Sequence, residues 1–328
     1  HAMTPRRLHL SRTVALSSGL ILPAIASGQA TPDWPQGPIR FIVPFPAGSG
    51  TDVNARLIGE RLAQAVGVPV VVDNRPGADG IIAAEAAARA RPDGQTVFVT
   101  SNSTHASNPA LKRKLSYDPI KDFAPVTLIG TSPLLVLVHP SLPIRTTQEL
   151  IAHAKAHPGK LSFSSGSASS RVGGEMFKSM AGIDMVNVSY KGNPQALADL
   201  VAGQVQVMFC DAGTALPQVQ GHRVRALAAT SLKRSGALPD LPTVAESGLP
   251  GYEMVAWTAV FLPAGTPPVI LNKLNARLVE ILRSPEYRQR NSPTTDLAPG
   301  TPQELGQFVA SEIDKWKRVV TQARLEIE

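Results

Sequence analysis

Along most of the chain, short apolar runs alternate with longer segments whose apolar positions recur every three or four residues. Residues 39–43 (IRFIV) are apolar with little alternation, the pattern of a strand covered on both faces. Pro44 and Pro46 end regular pairing. Ala47-Gly48-Ser49-Gly50 can bend tightly, and Thr51 or Asp52 is placed to cap a helix running to about residue 66. A second strand is predicted over 68–73, a small-residue helix capped by Asp79 over 80–90, and a third strand over 96–100. Strand and helix in alternation predict βαβ units and a parallel sheet.

Residues 126–138 read as two extended runs broken at Thr131-Ser132-Pro133, and a continuous extended segment here could cross from one domain to a second. After Pro140 the rhythm restarts: helix 147–157, strand 161–164, a polar loop at 165–170, helix 171–180, strand 186–190 and a helix to residue 202. Strands over 205–209 and 224–230 and a short helix over 241–247 follow. An extended run at 253–262 reads as the return crossing. Pro267 caps a helix over 268–283. A last helix over 303–322 places Leu305, Phe308, Val309, Ile313 and Trp316 on one face, suited to the first domain.

Two stretches share one design, a strand, then a loop of small residues, then a helix start. The first holds Phe45, Ala47, Gly48, Ser49, Gly50 and Thr51. The second holds Ser164, Ser165, Gly166, Ser167, Ser169 and Ser170. Free N–H groups and the positive end of the helix dipole suit a small anion, and two such loops face to face would form a two-sided clamp. The plain alternative for each is a tight turn without a ligand. Ser101, Thr104 and His105 follow the third strand, where ligands bind off the carboxyl ends of a parallel sheet. Arg171, at a helix start, opposes the dipole; it either meets a carboxylate ligand or pairs with Glu175. Phe45 and Trp257 could cover a carbon skeleton or pack in the core.

Composition narrows the chemistry. The net charge is +7, of which the three arginines of residues 1–30 account for three, leaving +4 on the remainder. The basic residues are scattered with few aromatics among them, so nucleic-acid binding is not indicated. There is one cysteine, Cys210, so no internal disulfide forms. Neither G-x-G-x-x-G nor a P-loop is present, and the seven histidines show no metal-ligand spacing apart from His153 and His157, four apart on a helix. No G-x-S-x-G marks a nucleophile. Catalytic residues, metal and cofactors are therefore expected to be none. Residues 1–30 read as a cloning remnant, His1-Ala2, followed by a secretory signal peptide with a basic start, an apolar core at 14–26 and cleavage after Ala30 or, second, after Ala26. That predicts export to the periplasm.

Taken together, the motifs PFPAGSGTD at 44–52, VVDNRPGADG at 71–80, RPDGQT at 91–96, YDPIKDFAPVT at 117–127, FSSGSASS at 163–170, LVAGQVQVMF at 200–209 and LPDLPTVAESGLPGYE at 238–253 resemble the periplasmic solute-binding proteins of the tripartite tricarboxylate transporters, the Bug family. The resemblance implies an α/β, two-domain periplasmic-binding-protein fold (type II, clamshell), each domain a mostly parallel sheet flanked by helices. Residues 31–131 with 254–328 would form domain 1, residues 132–253 domain 2, and the ligand would lie in the cleft. It further implies a small carboxylate ligand (a di- or tricarboxylate, an acidic amino acid or an aromatic acid). One carboxylate would sit at Phe45 to Thr51 and the other at Ser164 to Ser170, with Tyr190, Lys191, Asp211 and Trp257 near the cleft. The partners implied are two membrane permease subunits, for a monomeric binding protein. Three positions depart from the family habit: Ser49 where Gly is common, Arg171 where His is common, and Cys210-Asp211 where Asp-Asn is common. A ligand-sensing subunit and a cleft serine or cysteine hydrolase are the alternatives.

Overall fold

The structure, a computed structural model, describes residues 33–327. The expected remnant and signal segment lie outside the described residues. No helix among the described residues is long and apolar enough to cross a membrane.

The first part of the chain runs β1 (Ile39–Val43), α1 (Gly50–Val66), β2 (Val70–Asn74), α2 (Ile81–Ala88), β3 (Thr96–Ser101) and α3 (Asn108–Leu111). A single 3-10 turn, Ala78–Gly80, precedes α2, and a π turn, Ser103–Ser107, precedes α3. β4 (Phe123–Val138) leads into α4 (Thr147–Ala156), β5 (Ser162–Ser165), α5 (Ala168–Ala181), β6 (Val186–Ser189), α6 (Asn193–Val201), β7 (Val207–Asp211), α7 (Ala212–Gln220) and β8 (Arg225–Ala229). β9 (Val255–Pro263), α8 (Pro268–Arg283), α9 (Pro285–Arg290), β10 (Asp296–Leu297) and α10 (Pro302–Gln322) complete it.

The ten strands form one sheet: eight follow the path β2-β1-β3-β9-β4-β7-β5-β6, and β8 and β10 join β4 beside it. The flanks are parallel: β1 with β2 and β3, β5 with β6 and β7. Every pairing made by β4 or β9 is antiparallel. β4 is the long element. Phe123 to Pro133 pair with β9, and from Leu134 the same strand pairs with β7 and β8. The extended run expected at 126–138 is thus one strand of 16 residues, unbroken at Pro133 because that residue still pairs with Val255. Proline lacks only the donor, so it is tolerated where the partner does not need its N–H.

Burial follows the apolar pattern. Ile39, Phe41, Ile42 and Val43 of β1 are fully buried, while Arg40 faces out. One core cluster joins β1, β3, β4 and β9 to α1 and α8. The cluster on the other side of the sheet is continuous through both ends of β4, from Phe98 and Phe123 to Phe163, Phe177 and Phe209. α10 covers it with Leu305, Val309, Ile313 and Trp316, all buried. Its reach is wider than the sequence suggests, because it packs on β4, the π turn, α3 and also α5. The carboxylate of buried Glu312 accepts from Trp257 Nε1 on β9 at 3.0 Å and pairs with Lys315 at 2.6 Å, tying this helix to the crossing strands.

Some elements differ from expectation. Ser49, rather than Thr51 or Asp52, caps α1. Ser167 caps α5, so that helix begins three residues before Arg171. Residues 241–247 form turns rather than a helix, held by Val244 N–H to Ala229 O and Ser247 N–H to Val244 O. α7 was not legible because Pro217 lies inside it.

Candidate functional site

The first loop is built around an acid that belongs to the chain. Ser49 Oγ accepts from Asp52 N–H at 3.3 Å, which starts α1. Asp52 then turns back: its carboxylate takes Gly48 N–H at 2.8 Å, Asn74 Nδ2 at 2.9 Å and Arg56 Nε at 3.0 Å. Asn74 also holds Phe45 O at 3.0 Å. Burial works to raise the Asp52 carboxyl, and these hydrogen bonds outweigh it, leaving it below the usual carboxylate range. Gly48 N–H, expected to meet a ligand, is therefore satisfied internally. Ala47, Gly48 and Gly50 are exposed and Thr51 is buried in the helix start. Of this loop only Pro44, Phe45 and Pro46 line the cavity described next.

That cavity, of about 730 Å³, lies where the carboxyl ends of β1, β3 and β5 converge. The second loop supplies its most polar wall. Ser165, Gly166, Ser167, Ala168 and Arg171 line it, with Ser189, Tyr190 and Lys191 beside them. Ser167 Oγ accepts Ser170 N–H at 3.1 Å, leaving the N–H groups of Ala168 and Ser169 without intrahelical acceptors, as at any helix start. Tyr190 N–H to Ser165 O, 2.8 Å, holds the neighbouring strand end against the loop. Gly166 is required by that approach: a Cβ there would lie 2.2 Å from the Gly192 carbonyl carbon.

Arg171 lines the cavity with no ion pair or side-chain hydrogen bond among the described residues. The alternative partner, Glu175, is engaged by Lys178 at 3.1 Å. Lys191 likewise has no ion pair among the described residues. Tyr190 presents its ring rather than its hydroxyl, which donates to Asp199 at 2.7 Å; burial and that carboxylate push its pKa up to about 12. With Phe45 it gives the cavity two aromatic faces.

Other expected residues lie elsewhere. Ser164 and Ser170 are buried and spend their hydroxyls on Ala196 O and Phe209 O. Ser169 Oγ accepts from Asn102 Nδ2 at 2.9 Å, a bond that joins the end of β3 to the start of α5. Ser101 Oγ accepts from Ser103 N–H at 3.2 Å. Thr104 and His105 are fully buried; His105 stacks on Phe261 at 4.0 Å and touches Phe123, and burial drives its pKa down to about 3. Asp211 caps α7 through Thr214 N–H at 2.8 Å and holds Asn193 Nδ2 at 2.9 Å, bracing the loop from behind. Trp257 is in the core on Glu312. Cys210 is fully buried, and burial with the nearby Asp211 charge raises its thiol far from nucleophilic form.

The rest of the wall was not foreseen. Pro76, Gly77, Ala78, Asp79 and Gly80 line it, with Ser103, Ser107, Asn108, Leu111 and Lys112. Four consecutive residues here have positive φ: Gly77 122°, Ala78 47°, Asp79 54° and Gly80 85°. The two with side chains each cost about 1–2 kcal/mol. The turn is pinned by Asn108 Nδ2 to Asp79 O at 3.0 Å and by Lys112 Nζ to Asp79 Oδ2 at 2.8 Å. Gly77-Ala78-Asp79-Gly80 gave one usable signal, two glycines flanking a polar residue, which reads equally as a helix cap. A second depression, about 580 Å³ beside Tyr117 and Lys317, has Asp118 and Asp122 committed to backbone N–H groups. No group of three or more metal-ligating side chains occurs among the described residues.

A mixed sheet with a helix-start cavity at its strand ends is the architecture of the periplasmic binding proteins, and solved structures of that class share this fold. The family described as tripartite tricarboxylate transporter family receptor matches residues 54–325, and the chain belongs to that family. BugT of Bordetella pertussis is 34% identical over 98% of this chain and 100% of its own. Among solved structures, R. palustris Rpa4515 with adipate has a TM-score of 0.79 at 36% identity, covering 89% of this chain and 98% of that one. MatC of Rhodopseudomonas palustris with bound malate has a TM-score of 0.75 at 34% identity, covering 88% and 100%. The resemblance read from the spaced motifs is thereby borne out.

Proposed function

We propose that this chain is a non-catalytic periplasmic solute-binding protein. It captures a small organic carboxylate in the cavity between β1, β3 and α5 and delivers it, as a monomer, to the two permease subunits of a tripartite tricarboxylate transporter. The observation that carries this reading is Arg171: a guanidinium in a cavity wall, beside a helix start, with no acid of its own among the described residues. Its N–H donors are left to meet an anion, in the planar fork that matches a carboxylate. Family membership and relatives solved with adipate and malate support the same class of ligand.

The ligand's carboxylate is assigned to Ser167, Arg171 and the N–H groups of Ala168 and Ser169, and its carbon skeleton to Phe45 and Tyr190. Closure would be a hinge motion of residues 31–131 with 254–328 against 132–253, bending near Thr131 and Glu253. The absence of turnover is supported by the placement of the candidate nucleophiles: Cys210 is buried, and Ser164 and Ser170 face backbone carbonyls.

A thermal-shift panel of mono-, di- and tricarboxylates and aromatic acids, each against its ester, tests this directly. A ligand at a hundred times its dissociation constant adds about 2.7 kcal/mol of stability. The expected result is a raised midpoint for one carboxylate class that its ester abolishes. A flat panel, together with no carboxylate released on denaturing extraction, would overturn the reading.

A further inference from the structure

We propose that Asn102 is a closure latch. Its side-chain amide ties the first turn of α5, where the ligand's carboxylate is assigned, to the end of β3 when the two walls of the cavity come together. The inference rests on the carboxylate and hinge reading given above.

Asn102 directly follows β3 and is fixed to that wall. The ladder between β3 and β9 ends with Ser101 opposite Thr258. The N–H of the preceding residue, Trp257, goes to Asn102 Oδ1 at 3.4 Å. Trp257 is anchored in turn, through Nε1 to Glu312 on α10 at 3.0 Å. A backbone N–H only donates, so it sets which end of the amide faces it. The Nδ2 end is thereby aimed the other way, at Ser169 Oγ, 2.9 Å off. Asn102 is 4% exposed and Ser169 8%, so the bond is shielded from water.

Its two ends belong to different walls. Asn102 precedes Ser103, which lines the cavity beside the π turn, and Ser169 follows Ala168, which lines it in the serine loop. In a hinge motion, residues 31–131 with 254–328 form one body and residues 132–253 the other, so the bond has one end in each. Ser132 with Thr295 and Glu253 with Lys315 also join these bodies, but at the crossing points, where bending moves atoms least.

Opening exchanges this bond for water. Such an exchange shifts an equilibrium several-fold, so the latch adds to ligand contacts and does not replace them. Removing the acceptor has a sharper effect. Without the Ser169 hydroxyl, Asn102 Nδ2 is buried and unmet in the closed form and hydrated in the open one. An unmet buried donor costs more than a bond never made, so the loss falls on closure.

The test reads closure and binding separately. Nitroxide labels on Ile82→Cys and Val186→Cys, both exposed positions and one on each body, report the separation by pulsed electron paramagnetic resonance without any ligand. Cys210 is buried and stays unlabelled. Ser169→Ala keeps the backbone N–H assigned to the ligand and is expected to lower the closed-to-open ratio about fivefold or more. Asn102→Ala should lower it about threefold or more. The double variant should go no further than the larger single effect, because both remove one bond. Ser169→Thr keeps the hydroxyl and should stay within about twofold of the parent. Calorimetric titration with succinate, citrate, glutamate and benzoate should show the same ratios in dissociation constant for each acid that binds. A bond of merely structural value would lower the urea midpoint and leave the closed-to-open ratio unchanged. That result overturns the proposal, as do additive single effects. Where the parent binds none of the four acids, the failure falls on the carboxylate reading, and the label distances alone decide the latch.

Discussion

At the scale of single residues, three positions separate charge, shape and burial. Arg171 carries the charge, so Arg171→Ala should weaken carboxylate binding by about 2 kcal/mol, the usual value of a charge-assisted contact, with little change in the free protein's midpoint. Calorimetry on the ligand identified by the panel checks this. Gly166 carries the shape: Gly166→Ala would push a methyl into the Gly192 backbone, and overpacking of that kind costs about 1–3 kcal/mol. Because the obstacle is backbone, the loop and the Lys191 segment must part, and both binding and the urea midpoint should fall. His105 carries neither, although its sequence position suggested it. It is held neutral with a pKa of about 3 against an ordinary 6.5, so the unfolded chain takes up a proton that the folded one refuses. Its contribution is complete above pH 6.5 and is lost as pH falls towards about 3. His105→Phe should flatten the acid-side slope of midpoint against pH. The serine loop and Arg171 were legible because small residues before a helix have few other readings. Asp79 and Lys112 were not, because an aspartate between glycines looks like a cap and a lysine in a basic run looks like a solvated face.

At the scale of elements, most strands and helices stood within two or three residues of expectation, and the differences have local causes. α5 begins early because Ser167 is a capable N-cap and the polar first turn hides the helical period. α10 was clear because its start is a full capping box, Thr301 with Glu304. Thr301→Ala should therefore cost about 1 kcal/mol, read as a lower denaturant midpoint at constant slope. Trp316, fully buried on the same helix, should cost more: Trp316→Ala is expected to lose about 3–5 kcal/mol. What the sequence concealed was the side of the molecule this helix serves. Periodicity shows that a face is apolar and says nothing of which strands lie under it, and here they belong to both ends of β4.

At the scale of the whole molecule, the two parts of the sheet are joined through a strand from late in the chain, β9. β3 has β1 on one side and β9 on the other, so Phe98 pairs with Phe261 across about half the chain. Pairings in the second part of the sheet span shorter stretches, as Ser162 with Val186 and Leu135 with Ala229. Contacts of the longer span pay their loop entropy before they return any stability, which makes folding slow. A chain ending before residue 255 would also leave the β3 edge bare, with the backbone N–H and C=O groups of Phe98 and Thr100 unpaired. Nascent or truncated molecules of this protein should thus depend on a holding chaperone until β9 is available, and their aggregation, followed by light scattering, should stop at the chain length that first includes it.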